Sequence, residues 1–268
     1  MMSKNKLRQL IREGKPTVGT HYSSVWANQV EIIGNSQQFD YAEFTGQYGP
    51  FTLHDLEHLA RACELTDMDA MIKIDQEPRT FIASRAIQAG FTAMLFADCR
   101  TVEDVKKCIQ SVKLIPQGGI NGNQSGRVMG YGYVQGKPVT LADYTKFMDE
   151  VVIAIMIETK SITDDIEEVL AIPGIDMIQF GPSDFSISIN HPGEGYKNQV
   201  ITEAMERSYS AAKRNGIRIR AECMVEEMPK WIELGCRDFC IGSDTGTIGA
   251  WARNTGKAIR DTLVKAKL

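Results

Sequence analysis

With 268 residues, 43% of them hydrophobic, the chain is long enough to bury one large core. A formal charge of −4, with acids and bases interspersed, leaves no basic stripe for nucleic acid. No apolar run approaches the roughly 20 residues that cross a bilayer, and the N-terminal MMSKNKLRQLIREGK lacks the apolar segment of a secretory signal, which points to a cytoplasmic protein.

The chain opens with an amphipathic helix over 3–13. Eight short β-like runs follow, at 17–22, 39–45, 69–75, 93–97, 151–158, 176–181, 217–223 and 238–242. Helical patterns lie between and after them, at 27–34, 53–65, 79–89, 102–112, 162–170, 199–215, 225–234 and 249–265. Gly90, Gly174, Gly216 and Gly235 mark helix ends ahead of the next strand. This alternation predicts an α/β fold, a (β/α)8 TIM barrel forming a single domain over 1–268. An open doubly wound sheet is the alternative, weakened because no glycine fingerprint follows the first strand.

One stretch, 114–150, interrupts the rhythm with GGINGNQSGR and GYGYVQGKP. Its glycines do not follow GxGxxG spacing after a strand, so it is not a dinucleotide loop. Taken as the long loop after strand 4, it is expected to be a lid on the catalytic rim. The six cysteines (Cys63, Cys99, Cys108, Cys223, Cys236 and Cys240) contain no CxxC and read as reduced packing residues.

The chemistry concentrates in 155–188. An apolar strand ends on Glu158, a helix follows, and a second strand runs into Gly181-Pro182-Ser183-Asp184. Parallel neighbouring strands lie about 4.8 Å apart, so two acids 26 residues apart in sequence can converge on one rim. Alone, each reads as a solvated loop acid. Together they need a proton or a cation, and a hard divalent ion with oxygen ligands suits them. Alternation in the strands turns Glu43, Lys73, Asp75, Arg218, Arg220 and Glu222 inward, where charges must pair. Arg218, deepest in its strand, reads as a structural ion-pair partner. Lys73, Arg220 and Glu222, nearer the strand ends, can meet an anionic substrate. Among the histidines, His54 and His58 read as solvated, His191 is open, and His21 ends the first strand as a candidate acid/base.

These residues resemble the HpcH/HpaI aldolases, metal-dependent class II enzymes that make or break bonds to pyruvate-like enolates. The resemblance runs nearly end to end. It rests most on Ile157-Glu158-Thr159 and on Gly174-Ile175-Asp176 through Phe180-Gly181-Pro182-Ser183-Asp184-Phe185-Ser186, with Phe39-Asp40-Tyr41, Ala89-Gly90-Phe91 and Glu233-Leu234-Gly235 in support. It implies Mg²⁺ or Mn²⁺ on Glu158 and Asp184. It also implies a small 2-keto acid held near Gly181, Ser183, Asp184 and Arg220, with backbone amides near Ser183 and Asp184 on its carboxylate. A homo-oligomer, a hexamer or trimer of dimers with an exchanged last helix, is implied as well.

The departures cluster in the acid/base set. The family's loop histidine and its carboxylate partner correspond to Tyr48 and Thr45, its third-strand arginine to Lys73, a glutamine to Met156, and an arginine-glycine pair to Asn121-Gly122. The leading expectation is a carbon–carbon lyase with Lys73, Tyr48 and His21 as catalytic candidates. Alternatives on the same site are a keto-acid decarboxylase, an enolate-condensing enzyme, a Lys73 Schiff-base enzyme, and a metal and keto-acid binding protein without aldolase activity.

Overall fold

The computed structural model describes residues 5–124 and 126–268. Ser3 and Lys4 of the expected first helix, and Ser125 of the long connection, lie outside the described residues. In chain order the strands are β1 (Thr17–Tyr22), β2 (Tyr41–Phe44), β3 (Asp69–Ile74), β4 (Ala93–Phe96), β5 (Tyr133–Val134), β6 (Lys137–Pro138), β7 (Val152–Ile157), β8 (Met177–Phe180), β9 (Arg218–Cys223) and β10 (Asp238–Ser243). β5 and β6 form a separate antiparallel hairpin. The other eight are parallel and close into a barrel in sequence order, β10 pairing back onto β1. The expected TIM barrel is the fold.

The helices are α1 (Lys6–Arg12), α2 (Ala27–Asn35), α3 (Leu53–Leu65), α4 (Arg79–Ala89), α5 (Val102–Val112), α6 (Leu141–Glu150), α7 (Lys160–Asp164), α8 (Ile166–Leu170), α9 (Pro182–Ser188), α10 (Gln199–Arg214), α11 (Met228–Glu233) and α12 (Asp244–Lys265). Capping boxes at Thr52/Asp55, Thr101/Asp104 and Thr140/Asp143 start α3, α5 and α6. The helix expected over 162–170 is broken at Asp165 into α7 and α8, and α9, started by Pro182 in its first turn, is an addition. No helix of the described residues is long and apolar enough to cross a membrane.

Strand alternation sorts the core into two layers. Outward residues such as Phe44, Ile72, Met94, Ile155 and Ile178 pack beneath the helices. Inward residues Tyr41, Met71, Leu95, Ala154, Met156 and Met177 fill the barrel. Helix α1 closes the barrel's N-terminal end: Leu7 is fully buried against that inner cluster, and Arg8 donates to Asp176 and to the carbonyls of Glu150 and Val151. Of the charges expected inward, the two arginines pair as burial demands, whereas Asp75 and Glu222 are exposed at the strand ends. Arg218 donates twice to Asp238, and Arg220 donates to Glu43.

The expected lid is not at the mouth. The 114–150 stretch leaves the C-terminal end of α5, not a strand, and helices of a barrel run antiparallel to its strands. It therefore begins at the face opposite the catalytic rim. Arg127 anchors it there, on the Ala89 carbonyl at the end of α4 and on Glu64 at the end of α3. Lys113 bonds the Asp149 carbonyl, bracing the return into β7 through α6.

Candidate active site

The rim is assembled where β3, β4, β7 and β8 end. Glu158 follows β7 and is almost wholly buried, and its Oε1 accepts the Asp98 backbone N–H at 2.6 Å. Its Oε2 is buried with no hydrogen-bond partner. Burial pushes this carboxyl up to about 7, with the Asp98 amide and the Lys73 ammonium pulling down and the Asp184 and Asp98 charges pushing up. Asp184 lies in the first turn of α9, half-buried.

Gly181 joins β8 to α9, and a Cβ there would stand 2.7 Å from Glu158 Oε2 and 3.0 Å from the tip of Met156. A side chain is therefore excluded from the space in front of the unpartnered oxygen. Among the described residues no three or more His, Cys, Asp or Glu side chains form a ready-made cage. The donor set still fits a small hard cation, since Mg²⁺ is commonly held by one or two carboxylates with water and substrate completing its shell. An orphaned buried carboxylate oxygen beside a second carboxylate is what such a shell would satisfy.

Lys73 projects from β3 into the mouth. Its Nζ donates to Tyr48 Oη at 2.9 Å and lies 4.9 Å from the Tyr48 ring centroid. Burial works against the ammonium, but Tyr48, Glu158 and Glu43 outweigh it and hold the amine above its ordinary range. A lysine so held is protonated near neutral pH, which disfavours a Schiff-base nucleophile. Tyr48 itself is exposed in the loop after β2. Thr45 turns away from it, bonding Ser23 Oγ at 2.7 Å and donating to the Tyr22 carbonyl. No Thr45–Tyr48 side-chain pair stands in for a carboxylate–histidine dyad.

The predicted site residues divide into three groups. Lys73, Tyr48, Gly181, Ser183 and Asp184 line one cavity of about 260 Å³, with Met156, Gln179 and Glu222 also on its wall. Glu158 borders it through Gly181. His21 stands aside from the cavity lining, half-buried, with Nδ1 3.6 Å from Glu222 Oε1 and 3.8 Å from Cys240 Sγ. Arg220, expected to touch substrate, is fully buried beneath the cavity, where its donors are taken by Tyr41, Gln179 and Glu43. A second cavity of about 270 Å³, lined by Lys6, Cys63, Asp69 and Thr92, lies at the opposite end of the barrel and shares none of these residues.

Asp98 was missed. It stands just past β4 with a φ of 55°, a left-handed conformation that aspartate tolerates better than most side chains. Gln47 Nε2 donates to its Oδ2 at 2.7 Å. Burial, a hydrogen bond with Asp75 and the charges of Asp75 and Asp184 raise its carboxyl, with Lys73 opposing. The signal was present: an acid shortly past a strand end, the pattern that picked Glu158 and Asp184.

Fold and site together define a barrel enzyme whose chemistry sits at the C-terminal ends of its strands. Residues 31–242 match the model of the HpcH/HpaI aldolase/citrate lyase family, and the chain belongs to that family of carbon–carbon lyases. It is 24% identical over 246 residues to the 2-keto-3-deoxy-L-rhamnonate aldolase of Escherichia coli K12, covering 90% of this chain and 88% of that one. The HpcH/HpaI aldolase from Desulfitobacterium hafniense DCB-2 superposes with a TM-score of 0.83 at 21% identity, over 95% and 96% of the two chains. The M. tuberculosis citrate lyase beta subunit complexed with oxaloacetate and magnesium superposes with a TM-score of 0.54 at 12% identity, over 87% and 93%.

Proposed function

We propose that this protein is a divalent-metal-dependent aldolase that cleaves or forms a carbon–carbon bond next to the keto group of a small 2-keto acid, through an enolate. The observation that carries the reading is the unpartnered Glu158 Oε2, buried against Gly181 at the edge of the cavity that Asp184 lines, with the Asp184 charge near enough to push the Glu158 carboxyl up. Glu158 and Asp184 would hold Mg²⁺ or Mn²⁺, the ion of the M. tuberculosis complex being magnesium. Bound there, a divalent ion supplies Lewis-acid polarisation of the keto oxygen and stabilises negative charge on it.

The chain's own groups do the rest. The Lys73 ammonium, held charged in a mostly buried position, offers a second positive partner to the developing oxyanion. Tyr48 Oη accepts the Lys73 hydrogen bond, which leaves its own proton free to be donated toward the mouth. Backbone amides at Ser183 and Asp184, at the start of α9, are available to the substrate carboxylate. His21 lies within a side chain's reach of Glu222, which lines the cavity, and is the residue on which an additional proton relay would be built.

The test is exchange of pyruvate methyl protons with deuterated solvent, followed by NMR with Mg²⁺ or Mn²⁺ and with a chelator. Metal-dependent exchange supports the enolate reading, and no exchange in wild type removes it. Tyr48→Phe is expected to slow retro-aldol cleavage of 4-hydroxy-2-keto acids by about 10²-fold, the lower end for a positioned acid. Exchange without cleavage would assign the same enolate to decarboxylation or condensation.

A further inference from the structure

Gln179 sits on β8 one inward position before Gly181, is buried, and lies on the wall of the active-site cavity with Lys73, Met156 and Asp184. Its amide has two chemically different ends, and the residues beneath decide which end faces the cavity. Arg220 donates through Nη1 to Gln179 Oε1. A guanidinium has no acceptor, so the amide carbonyl must face Arg220 and the NH₂ must face away from it.

Arg220 is itself fixed in place. It is fully buried, its Nη2 donates to Glu43, and its Nε donates to Tyr41 Oη at 2.9 Å. Tyr41 in turn donates to the Phe239 carbonyl at 2.9 Å, and its ring occupies the space that Gly19 leaves by having no Cβ. From Phe239 to Gln179 each link has an assigned donor and acceptor. The Gln179 NH₂ is the loose end. Its nearest partner is Glu222 Oε2 at 3.4 Å, long for a hydrogen bond, and its ladder partner Met156 is apolar.

We infer that Gln179 is a substrate-binding donor, presenting its amide N–H to an oxygen of the bound keto acid, and that Arg220 is the positioning residue that fixes this polarity. The inference rests on the 2-keto acid reading of the site. A neutral donor of this kind selects an oxygen over a methyl group at the same place, because an apolar group there leaves a buried N–H unpaired. It does so without adding charge beside Lys73 and the acid pair.

Calorimetry of pyruvate binding to the Mn²⁺-loaded protein tests it, with Mn²⁺ affinity in the absence of pyruvate measured on each variant. Gln179→Met keeps the volume and removes the donor. It is expected to weaken pyruvate about tenfold and to leave Mn²⁺ affinity at the wild-type value. Arg220→Lys keeps a cation for Glu43 but loses the fork that orients the amide, and is expected to weaken pyruvate about threefold with Mn²⁺ affinity again unchanged. Unchanged pyruvate affinity in Gln179→Met overturns the inference alone, and so does an equal loss of Mn²⁺ and pyruvate. Wild type that binds Mn²⁺ but no pyruvate overturns both the inference and the keto-acid reading.

Discussion

Glu158→Gln separates what the carboxylate costs the fold from what it does for a metal. The folded-state value of Glu158 is about 7, against an ordinary 4.5. A carboxyl raised on folding binds more protons folded than unfolded between those values, so stability falls as pH rises through that window and levels off above it. The gap of about 2.5 units corresponds to about 3 kcal/mol at pH 8. Glutamine keeps an oxygen for the Asp98 N–H and cannot ionise, and at pH 5 it replaces a carboxyl that is already neutral. Without metal, the variant is expected to melt near wild type at pH 5 and on the order of 6–10 °C above it at pH 8. Mn²⁺ at 1,000 times its Kd should reverse the order at pH 8, because it adds about 4.1 kcal/mol to wild type alone. Thermal denaturation in chelator and in Mn²⁺, at both pH values, reads all four states. A variant destabilised equally at pH 5 and pH 8 in chelator would refute the burial argument. Equal stabilisation of both proteins by Mn²⁺ would refute Glu158 as a ligand.

Gly181→Ala sets a Cβ against Glu158 Oε2 and Cβ and should weaken Mn²⁺ by at least about tenfold while lowering the melting temperature; unchanged affinity would show the ion binds elsewhere. Asp69, buried at the closed end of the barrel and raised by burial from 3.8 to about 7, accepts from Leu7 N–H and Thr92 Oγ1, so it too costs stability as pH rises through that window. Asp69→Asn can keep both contacts if the Thr92 hydroxyl turns, and is expected to raise the melting temperature at pH 8 but not at pH 4; a loss at pH 8 would sink this reading. Helix α12 has no buried residue, and Ile248, Trp251, Ile259 and Val264 are exposed along it, which a neighbouring subunit would cover. Light scattering is expected to give a homo-oligomer that Trp251→Asp shifts to smaller species, and a wild-type monomer at micromolar concentration would remove this expectation.

The barrel was legible because its strands carry two signals at once. Outward apolar residues repeat with period two, and the inward positions break that pattern with charges that need partners. Arg218 and Asp238 at the closed end and Arg220 with Glu43 above them are the pairings such a pattern demands. The acids of the rim were legible by position, a few residues beyond strand ends, and the same pattern after β4 would have added Asp98.

What the sequence did not disclose was direction. Residues 114–150 are rich in glycine and long enough for a lid, but a connection belongs to the catalytic rim only when it leaves a strand. This one leaves α5, and Arg127 pins it to the ends of α3 and α4. Arg220 failed in the complementary way. Its parity pointed inward, correctly, but parity does not give depth. One inward position along the strand separates a side chain on the cavity wall from one whose three nitrogens are each bonded, to Tyr41, Gln179 and Glu43. The positive charge available at the mouth is therefore that of Lys73. A third-strand lysine whose ammonium is bonded to Tyr48 is a compact point charge on one oxygen, where an arginine would be a fork on two. The altered residues at 45, 48 and 73 therefore bear on proton transfer and on the second contact to the oxyanion, while the carboxylate pair at 158 and 184 is left intact. On the proposed mechanism, enolate formation and bond cleavage would draw on different residues of the same mouth, and perturbing them one at a time should separate the two steps.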